Sequence, residues 1–143
     1  DPDKVELVED ARDALSMARE AGFLLFLFTN QSGIGRGMYT LKEAEACNHR
    51  MIELLDLSDA VFTATCIAPD LPGDESGYRK PNPRFILEMI ESHGLDPDCC
   101  WMIGDSACDI EVAANAGIKS CRATEEGSLG SLISGIIAEC PKT

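Results

Sequence analysis

One stretch of the chain combines a hydroxyl, an amide and three glycines with an arginine. Residues 29–37 read TNQSGIGRG. Backbone N–H groups in a glycine-bearing turn can form a nest that binds an anion, and Arg36 can add a two-pronged contact to a phosphate. A strand-to-helix loop that needs glycine only for tight turning has the same pattern, so this motif by itself leaves the function open.

Two further stretches carry charge in loops. Residues 78–81 read YRKP, and a fixed ammonium there would stabilise the negative charge of a phosphate or of a developing oxyanion. Asp105 follows an apolar run, and a carboxylate at the end of a strand is a natural ligand for Mg2+. Asp109 can orient Asp105 or cap the next helix. The simpler interpretations are that Arg79 and Lys80 are solvated loop charges and that Asp105 is only a helix N-cap.

The elements that must position these residues alternate along the chain. The apolar pattern predicts helices over 5–21, 40–55, 82–94, 110–116 and 129–137, and strands over 23–28, 60–67, 99–103 and 118–122. Such alternation is typical of a doubly wound α/β sheet, in which strand 23–28 is apolar enough to be covered on both faces. Ligands bind such sheets at the carboxyl ends of the strands, where Thr29-Asn30 and Gly104-Asp105 lie.

Composition narrows the class of protein. The 143 residues fit one domain, and no apolar run is long enough to span a bilayer. With 25 acidic against 12 basic residues the net charge is -13, which argues against binding to nucleic acid or an anionic membrane but leaves a small anionic substrate open. The seven cysteines contain no C-x-x-C pair, which predicts free thiols in a cytoplasmic protein.

Taken together, the hydroxyl, the cation and the carboxylate resemble one phosphoryl-transfer site. TNQSGIGRG, YRKP and IGDSACD look like motifs two, three and four of the haloacid dehalogenase superfamily, nearest its heptose-bisphosphate and histidinol-phosphate phosphatases. The resemblance runs from about Asp3 to Arg122. It implies a Rossmann-like core of three α/β/α layers with a mainly parallel sheet and no large cap domain.

The resemblance also implies a function and a role for each residue. The protein would be a Mg2+-dependent phosphatase that acts on a small sugar phosphate through an aspartyl-phosphate. Thr29 and Asn30 would hold the transferring phosphoryl group, and Lys80 would neutralise the nucleophile and the phosphate. Asp105 would hold Mg2+ with support from Asp109. Four residues would contact the rest of the substrate: Gln31, Ser32, Arg36 and Arg79.

The chain departs from the superfamily pattern at the nucleophile. The nucleophile of the superfamily lies in an Asp-x-Asp motif at the end of a first, central strand. Asp1-Pro2-Asp3 has the spacing but follows no apolar strand, so we interpret it as lying after the missing motif, in an N-terminally incomplete single domain. We expect this chain to be inactive alone, with two unpaired strand edges, unless a preceding segment or a partner chain completes the sheet.

A second departure concerns zinc. Many relatives carry a zinc loop before the Arg-Lys-Pro motif, and of its four ligands only Cys66 is present here. A single thiolate does not hold structural zinc, so no zinc is expected.

Three other functions remain open on the sequence. One is hydrolysis of histidinol phosphate. Another is a polynucleotide 3'-phosphatase, because that family shares a similar Thr-Asn-Gln run and the Tyr-Arg-Lys-Pro motif. The excess of acidic over basic residues disfavours this function. The third is a non-catalytic phosphate-binding module that lacks the nucleophile.

Overall fold

Helices and parallel strands alternate in the computed structural model, which describes residues 10–30, 32–55, 61–70, 77–123 and 127–140. The helices are α1 Ala11–Glu20, α2 Ser32–Gly35, α3 Leu41–Leu55, α4 Arg84–His93, α5 Ala107–Ala116 and α6 Leu129–Glu139. The strands are β1 Phe26–Asn30, β2 Ala64–Ala68, β3 Trp101–Gly104 and β4 Lys119–Arg122. The predicted α/β class is confirmed. No helix within these ranges has both the length and the apolarity needed to cross a membrane.

Local capping signals define the ends of several helices. At the start of α3 the Thr40 backbone N–H donates to Glu43 Oε1 at 3.2 Å, and the Glu43 N–H donates to Thr40 Oγ1 at 3.1 Å. This reciprocal pair is the capping box that the sequence predicts. Helix α4 ends at Gly94 in the left-handed conformation, as predicted, with φ of 60°. Residues 5–9 of the first predicted helix lie outside the described residues.

The strands begin later than the apolar pattern predicts. Strand β1 starts at Phe26 rather than at residue 23 and continues through Thr29 and Asn30. The reason is that the Phe23 N–H donates to the Ala18 carbonyl at 3.1 Å, so the first residues of the apolar run close the end of α1. Apolar character alone does not distinguish a helix-closing link from the strand that follows it.

The strands form two separate parallel pairs. Strand β1 pairs with β2 from Phe26 opposite Ala64 onward, and β3 pairs with β4 from Trp101 opposite Lys119 onward. Among the described residues the two pairs share no ladder, and a mainly apolar groove of about 790 Å³ lies between β1 and β3. An absent central strand would leave two such pairs, and its absence stays a prediction.

Strand β1 is less covered than the sequence predicts. All of its residues are only half-buried, and Leu24 just before it is 47% exposed. The prediction of a strand covered on both faces is therefore wrong for the described chain. The physical reason is the open groove, which β1 lines with Phe26, Leu27 and Phe28.

Helices pack on the strand pairs, and α1, α4 and α6 also line the groove. Helix α1 packs against α6 through Ala14, Ala18 and Ile133, with Ile103 of β3 beside them. Helix α5 packs on β3 and β4, and its Val112 and Ala113 are fully buried. A second cluster joins α1 to the end of α3 through Ala11, Leu55 and Val61.

The prediction that all cysteines are free is wrong for one pair. Cys99, just before β3, forms a disulfide with Cys140 at the end of α6, with their Cα atoms 5.9 Å apart. Five other cysteines are free thiols: Cys47, Cys66, Cys100, Cys108 and Cys121. The bonded pair is 41 residues apart in sequence, so only the packing of α6 beside β3 brings the two sulfurs together.

Reducing this disulfide should destabilise the fold. The Cys140→Ser substitution releases a closed loop of 41 residues, and we expect a loss of about 2–4 kcal/mol in the free energy of unfolding because the unfolded chain gains freedom. Urea unfolding in the presence and absence of a reductant measures this loss of unfolding free energy. Cys47→Ser, at a free thiol, is the matched control, and equal midpoints for the two variants would contradict the prediction.

Candidate functional site

A buried lysine lies at the centre of the site. Lys80 is only 8% exposed, and its Nζ donates to Asp109 Oδ1 at 2.6 Å and to the Phe28 carbonyl at 3.2 Å. The same ammonium lies 5.2 Å from the centroid of the Phe28 ring. A buried cation is tolerated only when it is paired and hydrogen-bonded, and these contacts meet that requirement.

The backbone of Lys80 is attached to the end of β1. The Lys80 N–H donates to Asn30 Oδ1 at 2.9 Å, and Asn30 Nδ2 donates to the Lys80 carbonyl at 3.3 Å. The Phe28 carbonyl that accepts from the ammonium belongs to the peptide that joins Phe28 to Thr29. The structure therefore brings together three predicted site residues: Thr29, Asn30 and Lys80.

Asp109 is the counter-charge and also caps α5. It is 4% exposed, and its Oδ2 accepts from the Ser106 N–H at 3.2 Å and from Ser106 Oγ at 2.9 Å. The predicted capping role is confirmed. Burial alone would raise the pKa of Asp109, but the hydrogen bond and charge of Lys80, together with the Ser106 hydrogen bonds, outweigh burial and lower that pKa.

Gly104 is required where β3 meets this carboxylate. A Cβ at Gly104 would collide with the Cγ and Oδ2 atoms of Asp109, so any side chain there would displace the partner of Lys80. Asp105 follows directly and is exposed. Because both oxygens of Asp109 already accept hydrogen bonds, Asp105 is the carboxylate better able to face a ligand. Metal binding by Asp105 and Asp109 stays a prediction.

Arg36 and Arg79 are two residues predicted to contact the rest of the substrate whose side chains the structure describes. Arg36 is exposed after α2, and within the described chain it makes no hydrogen bond or ion pair with Lys80 or Asp109. Arg79 is half-buried, and its Nη1 donates to the Asp70 carbonyl at 3.3 Å. Gln31 lies outside the described residues, and Ser32 begins α2.

The loop before Lys80 is held by side chains that the sequence did not single out. Tyr78 Oη donates to the Glu88 carboxylate at 2.9 Å, and the Arg84 guanidinium lies 4.4 Å from the Tyr78 ring centroid. Burial, followed by the charges of Asp70 and Glu88, raises the pKa of the Cys66 thiol to about 11. A protonated thiol is a poor zinc ligand. In the ranges described, no cluster of three or more His, Cys, Asp or Glu side chains could hold a metal ion.

Sequence reasoning missed two contributors to the Lys80 site. The Phe28 carbonyl is a main-chain group, so residue type gives no signal for it. Ser106 could have been found, because Ser106 and Asp109 have the Ser-x-x-Asp spacing of a capping box. Together the contacts yield a fixed positive charge at the mouth of β1, beside the Thr29 backbone, which suits an anionic ligand.

Comparison with known proteins identifies relatives of the chain. The sequence profile of the haloacid dehalogenase-like hydrolases matches residues 1–117. The D-glycero-D-manno-heptose-1,7-bisphosphate 7-phosphatase of Chlorobaculum tepidum is 36% identical over 126 residues, which cover 80% of this chain and 63% of that protein. The enzyme of the same name from Thermosynechococcus vestitus is 35% identical over 79% of this chain and 63% of its own length. This chain thus spans less than two thirds of these relatives.

A solved structure shares the fold. The D,D-heptose 1,7-bisphosphate phosphatase of B. bronchiseptica, complexed with magnesium and phosphate, superposes with a TM-score of 0.80 over 97% of this chain and 88% of that one. The sequence identity is 22%, so this likeness concerns the fold alone.

Replacing Asp109 should make the free energy of unfolding depend less on pH. Because the folded-state pKa of Asp109 lies below the unfolded value of about 3.9, its ion pair stabilises the protein above that pH and is lost as the pH falls through the folded-state pKa. We expect Asp109→Asn to cost about 3–5 kcal/mol at neutral pH, since Lys80 stays buried without a counter-charge, and the cost to shrink below about pH 4.

The measurement is the urea unfolding free energy of both proteins across that pH range. Asp13→Asn removes an exposed carboxylate on α1 and serves as the control. A cost for Asp109→Asn that stays constant from neutral to acid pH would contradict the role of the ion pair.

Proposed function

The chain belongs to the haloacid dehalogenase-like hydrolase family, and from that premise we propose that it forms the phosphate-binding part of a phosphatase for small sugar phosphates. The observation that carries the proposal is the buried Lys80 ammonium, fixed between the Phe28 carbonyl and Asp109. A cation that is already desolvated and oriented stabilises phosphate charge without reorganising when the charge develops.

Each described site residue then has one task. Thr29 donates its hydroxyl to a phosphate oxygen, and Asn30 holds the backbone of Lys80 so that the ammonium stays beside Thr29. Asp109 pairs with the Lys80 ammonium and keeps it in position. Arg36, Arg79, Gln31 and Ser32 are proposed to contact the rest of the substrate, outside this centre.

The nucleophile of the proposed reaction comes from a strand that inserts between β1 and β3. The groove there is about 790 Å³ in volume and mainly apolar, and it is lined by Phe26, Phe28, Met102 and Ile103. The Lys80 ammonium contacts the Phe28 carbonyl near the end of β1 and Asp109 just after β3, so these two strands end at the same edge. A third strand running parallel to them would end beside Thr29 and Asp105. We propose that a segment preceding Asp1, or a partner chain, supplies this strand and an aspartate that accepts the phosphoryl group.

We propose that Asp105 is the carboxylate that holds Mg2+ at this site. Mg2+ in proteins often takes one or two carboxylates together with waters and phosphate oxygens, and Asp105 is an exposed carboxylate at the end of β3. Bound there, the ion would neutralise phosphate charge. Asp109 would act on Asp105 only indirectly, because both of its oxygens are engaged by Lys80 and Ser106. Zinc is not part of the proposal.

The substrate class follows from the relatives. Two are named as 7-phosphatases of D-glycero-D-manno-heptose 1,7-bisphosphate, so we propose a sugar bisphosphate of that kind as the substrate. Histidinol phosphate and a 3'-phosphorylated oligonucleotide are the comparison substrates. With a net charge of -13 the chain disfavours the oligonucleotide.

Removing the Thr29 hydroxyl should weaken phosphate binding. We expect Thr29→Val to raise the orthophosphate Kd about ten- to a hundredfold, the range for a hydrogen bond to a charged group. Isothermal titration calorimetry measures it. Thr65→Val changes the same residue type on the exposed face of the neighbouring strand β2, where it pairs with Leu27, and should bind phosphate like the parent chain. Equal affinities in the two variants would exclude Thr29 from the site.

Turnover should require the inserted strand. We expect the chain of 143 residues to bind orthophosphate without hydrolysing phosphomonoesters, and a chain extended upstream as its source encodes it to release phosphate, fastest from the sugar bisphosphate. Phosphate release in the presence of Mg2+ and of EDTA measures activity and metal dependence. Binding without turnover in the extended chain would favour a non-catalytic module, and failure of both chains to bind phosphate would overturn the proposal.

A further inference from the structure

Helix α5 contacts the Lys80–Pro81 segment at two points. Asp109 in its first turn accepts from Lys80 Nζ at 2.6 Å, and Asn115 near its end donates through Nδ2 to the Pro81 carbonyl at 3.0 Å. We propose that Asn115 is a positioning residue that holds the Lys80 segment on α5. The inference rests on the proposed function in one respect: that function is the reason why Lys80 must be held in place.

The Lys80 segment bridges the two halves of the fold. On one side its backbone is held by Asn30 at the end of β1 through two hydrogen bonds. On the other side it is held by α5, which packs on β3 and β4. No ladder joins the two strand pairs within the described residues, so these contacts, together with apolar packing such as Phe23 against Trp101, connect the side that carries Thr29 to the side that carries Asp105. Asn115 supplies the contact to the backbone on the α5 side.

Side-chain identity supports a specific role for Asn115. The residue is exposed, so it contributes nothing to the apolar core. Asparagine is also a weaker helix former than alanine in a helix interior. Asn115→Ala should therefore leave α5 at least as helical as before, and any loosening of Lys80 in this variant is attributable to the lost hydrogen bond.

The experiment measures how accessible Lys80 is in Asn115→Ala and Asn115→Asp. Acetylation with a limiting reagent, followed by mass spectrometry, gives the rate at Lys80 relative to the exposed Lys42 in the same molecule. We expect the relative rate to rise about three- to tenfold in Asn115→Ala, the range for loss of one neutral hydrogen bond. Asn115→Asp should raise it at least as much, because a carboxylate cannot donate to the Pro81 carbonyl.

Two controls separate positioning from general destabilisation. Glu111→Ala alters another exposed residue of α5 and should leave the Lys80 rate unchanged. Urea unfolding reports global stability, and both Asn115 variants should keep the free energy of unfolding of the Glu111→Ala control. An unchanged Lys80 rate in the Asn115 variants, or a rise that a loss of unfolding free energy accounts for in full, would overturn the inference.

Orthophosphate affinity, measured on the same proteins, links the inference to the site. We expect both Asn115 variants to bind orthophosphate more weakly, with a Kd that rises by about the same factor as the Lys80 labelling rate. If the parent chain binds no phosphate while Lys80 labelling still rises, the proposed function fails and the positioning role stands. If the parent chain binds phosphate and labelling does not change, only the positioning role fails.

Discussion

The site depends on one buried ion pair, in which the Lys80 ammonium and the Asp109 carboxylate meet at 2.6 Å. Taking two charges out of water is costly, and the cost is offset only when the remaining donors and acceptors are also satisfied. Here the Phe28 carbonyl accepts from Lys80, and Ser106 donates to Asp109. Because these partners belong to β1 and to the start of α5, the pair joins the two strand pairs at the edge where their carboxyl ends lie.

Several residue choices follow from this pair. Gly104 leaves room for the Asp109 carboxylate, and Ser106 engages the oxygen that Lys80 does not. Asn30 uses both its carbonyl and its amide on the Lys80 backbone, so the lysine stem enters the interior from one fixed point. A change at any of these positions would act on the Lys80 ammonium, even though none of them carries its charge.

The polar end and the apolar interior of the fold are held in different ways. At the polar end, directed hydrogen bonds connect β1 to α5 through Lys80. Between β1 and β3, an apolar groove separates strands that share no ladder within the described chain. This chain spans 63% of the length of each of its first two relatives. The hydrogen bonds at the polar end are in place among the described residues, although the two strand pairs there remain separate.

Patterns within a few residues were predictable from the sequence. The Thr40–Glu43 capping box and the Gly94 helix end depend only on neighbours along the chain. The three motifs at residues 29–37, 78–81 and 103–109 likewise depend on local residue order, and the sequence by itself identified the hydrolase family to which the chain belongs. The Cys99–Cys140 disulfide and the burial of Lys80 were decided by tertiary structure alone. The physical reason is that Lys80 and Asp109 are 29 residues apart, and only the path of the chain through β3 and α5 brings a counter-charge to one of two adjacent cations, Arg79 and Lys80.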